Sequence, residues 1–226
     1  LKTLTDEQFQ AILRYDTCRV ANAIETFKVR LRYEGFPRPG LQWLCATAPP
    51  ILGYATTSRA KTSQPAPDGR SYLDRTDWWD DLLELPRPMI AVIEDVDESP
   101  GFGAVAGEVH SSILQVLGCI GLVTNGSVRD VPALEAMGFA ALACQTSPSH
   151  AYAHIVDHGL PVDIKGLRIN PGSLLMADRH GMVQIPIEIA GELPAAIENQ
   201  RAKERKVIDL CRSQEFSLEK LKNAVR

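Results

Sequence analysis

A mixed α/β sandwich is the fold class that the sequence predicts, and three observations predict it. Apolar, β-branched runs alternate with amphipathic stretches only between residues 90 and 144, which argues against a purely parallel sheet. A β-rich tract with turn signals follows over residues 160–185. Helix-patterned segments stand at both ends, over residues 4–27 and from residue 186 onward. At 226 residues, with 45% hydrophobic and 23% charged residues, the chain suits one domain, 1–226, and shows no internal repeat, low-complexity tract or linker.

Taken in order, the first helical segment carries Thr5 and Gln8 at capping-box spacing, and Asp16-Thr17 offers a cap for a second helix. Residues 36–40 read as a loop and 51–60, ILGYATTSRA, as a strand. Residues 61–75, KTSQPAPDGRSYLDR, form the most loop-like stretch, a surface loop or lid. A short helix over 78–85 ends at Pro86, and IAVIED, 90–95, is a buried strand. The central stretch is GEVHSSILQVLGCIGLVTNGSVRD, 107–130: a helix with apolar Val109, Ile113, Val116 and Leu117 on one face, then a strand over 120–124. A turn at Asn125-Gly126 then leads to Arg129-Asp130. Beyond it come a helix over 131–137 with Pro132 in its first turn and a strand over 139–144. A helix is expected over 148–157, followed by strands over 160–164, 166–169, 174–178 and 182–185, and charged helix to the end.

Net charge is −4, from 24 basic and 28 acidic residues, which argues against a nucleic-acid backbone as the partner. No apolar run reaches the length of a membrane span, and the opening LKTLTDEQFQ reads as no signal peptide. Cys18, Cys45, Cys119, Cys144 and Cys211 are odd in number, scattered and without a C-x-x-C pair. Free thiols in a reduced, cytoplasmic protein are therefore expected.

Four constellations could carry chemistry. Arg129-Asp130 sits at a strand end, where the carboxylate suits a hard divalent cation and the guanidinium can fork a carboxylate substrate; the bland alternative is a surface ion pair. Gly107-Glu108-Val109-His110 opens a helix, whose free N–H groups attract anions, although dipole stabilisation alone would select Glu108. The loop from Gly101 through Gly103 to Gly107 resembles a dinucleotide or adenosylmethionine loop, but its spacing is not G-x-G-x-x-G. His150, His154 and His158 would share one face of a helix and could hold zinc, against the plainer reading of a partly exposed polar face. Asp178, at a tight turn, and the charged run 201–206 read as structural.

The central stretch, together with NPGSLLMADRHGMVQIP at 170–186, resembles the RraA-like family. That family includes class II 4-hydroxy-4-methyl-2-oxoglutarate aldolases, which also decarboxylate oxaloacetate, and the regulator of ribonuclease E activity. Some members carry a menaquinone methyltransferase label. The resemblance spans about residues 17–186, leaving 187–226 as a C-terminal helical extension. It implies a β/β/α sandwich with N- and C-terminal helices, assembled as a homotrimer or hexamer with sites near subunit interfaces. It implies a substrate loop of Gly107, Glu108, Val109 and His110, a substrate-binding and catalytic Arg129, a catalytic Glu108, and Asp130 as metal ligand. The metal would be Mg²⁺, with Mn²⁺ as the alternative, and the substrate a 4-carboxy-2-keto acid cleaved to pyruvate. A regulator that binds an RNA-processing enzyme, and a methyltransferase-like protein, are the other readings. The chain departs from the family pattern at Asn125 and Ser173, where aspartate is common, and in the length of loop 61–75.

Overall fold

The computed structural model describes residues 2–71 and 74–225. Helix α1 (Asp6–Ile12) starts with the predicted capping box, Thr5 and Gln8 each bonding the other's backbone N–H through its side chain. Asp16 caps α2 (Thr17–Phe27) through the Arg19 N–H. There follow β1 (Gln42–Trp43), β2 (Ile51–Lys61), α3 (Thr76–Leu83), β3 (Met89–Asp95), β4 (Ala104–Ala106), α4 (Glu108–Val116), β5 (Cys119–Val128), α5 (Val131–Ala136) and β6 (Ala140–Thr146). The chain continues through β7 (His154–His158), β8 (Val162–Ile164), β9 (Leu167–Ile169), β10 (Leu174–Asp178), β11 (Gly181–Ile185), a 3₁₀ turn (Ala190–Glu192), α6 (Leu193–Arg212) and α7 (Leu218–Ala224).

The main sheet runs β1-β6-β5-β3-β2-β10-β11, with β4 added to β5 and β7 to β2. Strands β2, β3, β5 and β6 pair in parallel, while β1, β7, β10 and β11 pair antiparallel. The sequence fits this mixture because β3 is apolar on both faces. Met89, Ala91 and Ile93 pack with Leu122 and Ala141 against Trp78, Leu82, Leu114 and Leu134 of α3, α4 and α5. Ile90 and Val92, with Val123 and Leu142, pack against the β8–β9 hairpin. A third cluster joins α1, α2 and the first turns of α6 to Leu52, Tyr54, Met176 and Val183. Each fully buried aliphatic side chain contributes about 1.5–3 kcal/mol. The predicted β8–β9 hairpin turns at Lys165-Gly166, both with positive φ, as a two-residue type I′ loop requires.

Three expectations need correction. Asn125-Gly126 is no turn: β5 runs through it to Val128, with a register shift against β6 between Thr124 and Ser127. The Asn125 side chain explains this. Its Oδ1 accepts the Asp95 N–H at 2.7 Å and its Nδ2 donates to the Asp95 carbonyl at 2.9 Å, replacing ladder bonds across the irregularity. An aspartate could not supply the donor. Secondly, residues 148–157 are not helical. Ala151 takes a left-handed φ of 47°, and β7 completes the free edge of the long β2. Tertiary pairing there overrides the helical pattern. Finally, the charged C-terminal segment is broken after Arg212, and Ser217 caps a separate α7. The three-residue β4 was not foreseen at all, being too short to show a pattern.

The second half of β2 reaches Lys61, so the predicted loop begins one residue later; its Tyr72 and Leu73 lie outside the described residues. All five cysteines are free. No helix among the described residues is long and apolar enough to cross a membrane. Replacing Asn125 by Ala should lower stability by about 2–3 kcal/mol, because it strands both backbone groups of Asp95. A shift of the urea midpoint with unchanged m-value would measure this.

Candidate active site

The site is assembled where β5 stops and α4 starts. Strand β4 pairs in parallel with the end of β5, and the Arg129 N–H continues the ladder to the Ala106 carbonyl at 3.0 Å. One residue beyond β4, Gly107 is the N-cap of α4; one residue beyond Arg129, Asp130 is the N-cap of α5. Two helix starts thus meet at one point of the surface. Asp130 Oδ2 accepts the Glu108 N–H at 3.1 Å and lies 3.3 Å from Arg129 Nε. Glu108 is exposed, and the side chains of Arg129 and Asp130 are about one-third exposed, at 33% and 38%. The structure therefore brings together Gly107, Glu108, Arg129 and Asp130, which lie 22 residues apart in two groups.

Gly107 is required by close approach rather than by its backbone angles. A Cβ there would lie 2.5 Å from Asp130 Oδ2 and 2.8 Å from Arg129 Cγ. Asp130 itself takes a left-handed φ of 57°, uncommon for a residue with a side chain but tolerated best by Asp and Asn.

The helical face is the reverse of the expected one. In α4 the buried residues are His110, Ser111 and Leu114, whereas Val109 and Val116 are 55% and 79% exposed. His110 therefore points inward, its ring edge-on to Trp78 at 5.8 Å and its Nδ1 3.3 Å from the Val105 carbonyl. Burial pushes its pKa down to about 4, an effect that the Val105 contact partly opposes.

The glycine loop before the site is packed against protein. The Gly101 carbonyl accepts from Ser127 Oγ at 2.7 Å and Gln145 Nε2 at 3.1 Å, and its N–H donates to Asp95 Oδ2 at 2.7 Å. A Cβ at Gly103 would lie 2.6 Å from the His150 carbonyl. The N–H groups of Gly101 and Gly103 are thus engaged by Asp95 and Thr62 and are not presented to a pyrophosphate, which argues against the dinucleotide reading. Burial pushes the Asp95 carboxyl up. Burial would also raise Asp97, but hydrogen bonds from Ser63 and Thr62 outweigh it and hold that carboxyl below the usual range. Thr62 in turn receives the Gly103 N–H, tying the start of loop 62–71 to the approach to β4. Sequence reasoning missed Asp95, Ser127 and Gln145 as supports of this loop. Their partners are distant in sequence, and no short motif marks them.

The three histidines do not converge. His150 and His154 each direct Nδ1 to a nearby carbonyl, of Ala151 and Tyr152. His158 stands between Asp77 and Asp81 of α3, at 3.1 and 2.9 Å. Among the described residues, no group of three or more His, Cys, Asp or Glu is placed to hold a metal ion. Asp178 is structural, as expected: its carboxylate takes the Thr17 N–H and hydroxyl and the His180 N–H.

A cage built wholly of protein ligands is absent among the described residues. A hard cation that retains most of its waters needs only one or two carboxylates, and Asp130 offers Oδ1, to which no described residue donates. Asp130, with water and substrate oxygens, fits Mg²⁺ of that kind.

A model of the RraA-like family, described as Aldolase/RraA, matches residues 17–184. The chain belongs to the RraA-like family. An uncharacterized protein of Methanocaldococcus jannaschii is 30% identical over 204 residues, covering 88% of this chain and 91% of that protein. A Halalkalibacterium halodurans protein, provisionally named a 4-hydroxy-4-methyl-2-oxoglutarate aldolase, is 28% identical over 115 residues, half of this chain (50%) and 52% of its own length. Among solved structures, Streptomyces coelicolor RraAS2, described as an unusual member of the RNase ES inhibitor RraA protein family, matches with a TM-score of 0.69. It is 20% identical, and the match covers 91% of this chain and 98% of that one, a likeness of fold. The expected RraA-like architecture, a mixed α/β domain with helices at both ends, is therefore the one observed.

Two outcomes follow from this geometry. A crystal structure of Gly107→Ala should show the Asp130 carboxylate displaced, with the fold retained; an unmoved carboxylate would contradict the close-approach account. His110 binds its proton less readily folded, at about 4, than unfolded, at 6.5. Its contribution therefore lowers stability as pH falls from about 6.5 towards about 4, by up to about 1.4 kcal/mol per pH unit. Urea titrations at pH 7.5 and pH 5 should show a smaller difference for His110→Phe than for the wild type.

Proposed function

We propose that this RraA-like protein is a divalent-metal-dependent carbon–carbon lyase that releases pyruvate from a 4-carboxy-2-keto acid. The observation that carries this reading is the Asp130 carboxylate held at the start of α4 beside the Arg129 guanidinium. The family membership and the name of the Halalkalibacterium halodurans relative support it.

In this mechanism the α-keto acid end of the substrate lies against the first turn of α4, where the N–H groups of Val109 and His110 and the dipole end favour anions. Arg129 forks the substrate carboxylate and fixes its orientation. Glu108 holds a water that takes the proton from the 4-hydroxyl as the C3–C4 bond breaks. The bonding electrons pass to C3, and the negative charge spreads onto the C2 oxygen of the leaving pyruvate enolate. Arg129 faces that oxygen and stabilises the charge as it develops. C3 then takes up a proton, giving a second pyruvate when the substrate is 4-hydroxy-4-methyl-2-oxoglutarate. With oxaloacetate the same enolate arises by loss of CO₂, and no hydroxyl proton is involved. A Mg²⁺ held by Asp130 would supply Lewis-acid stabilisation of the same developing charge. We further propose that the chain works as a homotrimer or hexamer, which would enclose a site that is open to solvent in one subunit.

Pyruvate release from both substrates, with Mg²⁺ and with EDTA, against a protein-free metal blank, tests the reading. Asp130→Asn should abolish metal-dependent release while the circular dichroism spectrum is unchanged. Arg129→Ala should lower kcat/KM by at least ~10²-fold. Wild-type rates in either variant would refute the residue assignments. Absence of release from both substrates would instead favour a non-catalytic regulator.

A further inference from the structure

The second half of α6 bears a stripe that the lyase reading does not use. Arg201, Arg205, Ile208 and Arg212 follow one another at intervals of four, three and four, so they lie along a single helix face about 16 Å long. They line a groove of about 390 Å³ together with Arg19 of α2. Two of these guanidinia are already neutralised, Arg19 by Asp16 and Arg201 by Glu198. Arg205 and Arg212 make no ion pair among the described residues. Between them Ile208 is 42% exposed. The buried residues of the helix, Leu193 and Ile197, lie in its first turns, and the helix also packs against α7, outside the core clusters.

We propose that this stripe is a docking surface for an acidic amphipathic helix of a partner protein. Charge complementarity sets the sign of the partner, because the two free guanidinia want carboxylates. The spacing sets its shape: Arg205 stands three residues before Ile208 and Arg212 four after it, so a helix with an apolar residue flanked by carboxylates at the same intervals can face all three. Nucleic acid suits the surface less well. An RNA backbone is a continuous line of phosphates, whereas only two guanidinia here are unpaired among the described residues and an apolar side chain stands between them.

The test uses the full-length protein and a fluorescent helix-forming peptide carrying glutamate, glutamate, leucine and glutamate at the same 4-3-4 spacing. Fluorescence anisotropy should show saturable binding. The double variant Arg205→Glu/Arg212→Glu should bind at least tenfold more weakly. Both positions are exposed, so the variant should keep its circular dichroism spectrum and melting temperature. A peptide with lysines in place of the glutamates should prefer the variant over the wild type. Failure of the acidic peptide to bind, or equal binding by wild type and variant, would overturn the proposal. Tighter binding of a single-stranded RNA oligonucleotide than of the peptide would overturn it in favour of nucleic acid.

Discussion

The parallel pairing of β2, β3, β5 and β6 constrains everything else in this protein. Parallel strands need crossover connections, and those connections must cover the sheet. Here α3, α4 and α5 cover one face, while the β8–β9 hairpin covers the other. Because the strands run the same way, their C-terminal ends lie at one edge. That edge receives Asp95 from β3 and Arg129-Asp130 from β5, and there the returning loop adds β4. Functional groups gather at such an edge because the strand ends are rigid while the loops beyond them are free to vary.

Within that edge, precision comes from crowding. The Gly101 peptide is bonded at both its N–H and its carbonyl, Gly103 lies against His150, and Gly107 lies against Asp130. The path from Asp95 to Glu108 is thereby fixed at each glycine. The Glu108 N–H, which the helix itself leaves without a partner, is met by the Asp130 carboxylate. The bonds at Gly101 and Glu108 satisfy backbone groups that would otherwise be stranded, and the bond to Glu108 also orients the carboxylate.

Much of this was legible in the sequence. The capping box at Thr5, the cap at Asp16, the β8–β9 hairpin and the β10–β11 pair are governed by neighbours within a few residues, and they formed as expected. The meeting of Gly107-Glu108 with Arg129-Asp130 was legible only through family resemblance, since nothing in the spacing brings two helix starts together. Long-range pairing defeated the local reading elsewhere. Residues 154–158 carry a helical pattern yet complete the edge of β2, and Asn125-Gly126 carries a turn signature yet lies inside β5. On α4 the inner face belongs to His110 and Ser111, so polarity alone misassigned it.

Asp130 combines a left-handed backbone with a carboxylate that fills the space left by Gly107. Glycine adopts that backbone at less cost, and asparagine fits it as readily. Glycine there would ease the backbone but strand the Glu108 N–H, and asparagine would keep an acceptor but lose the charge beside Arg129. Position 130 thus carries a local backbone cost that its carboxylate offsets, so laboratory evolution for robustness has no simple gain to find there: relaxing the backbone gives up the contacts with Glu108 and Arg129.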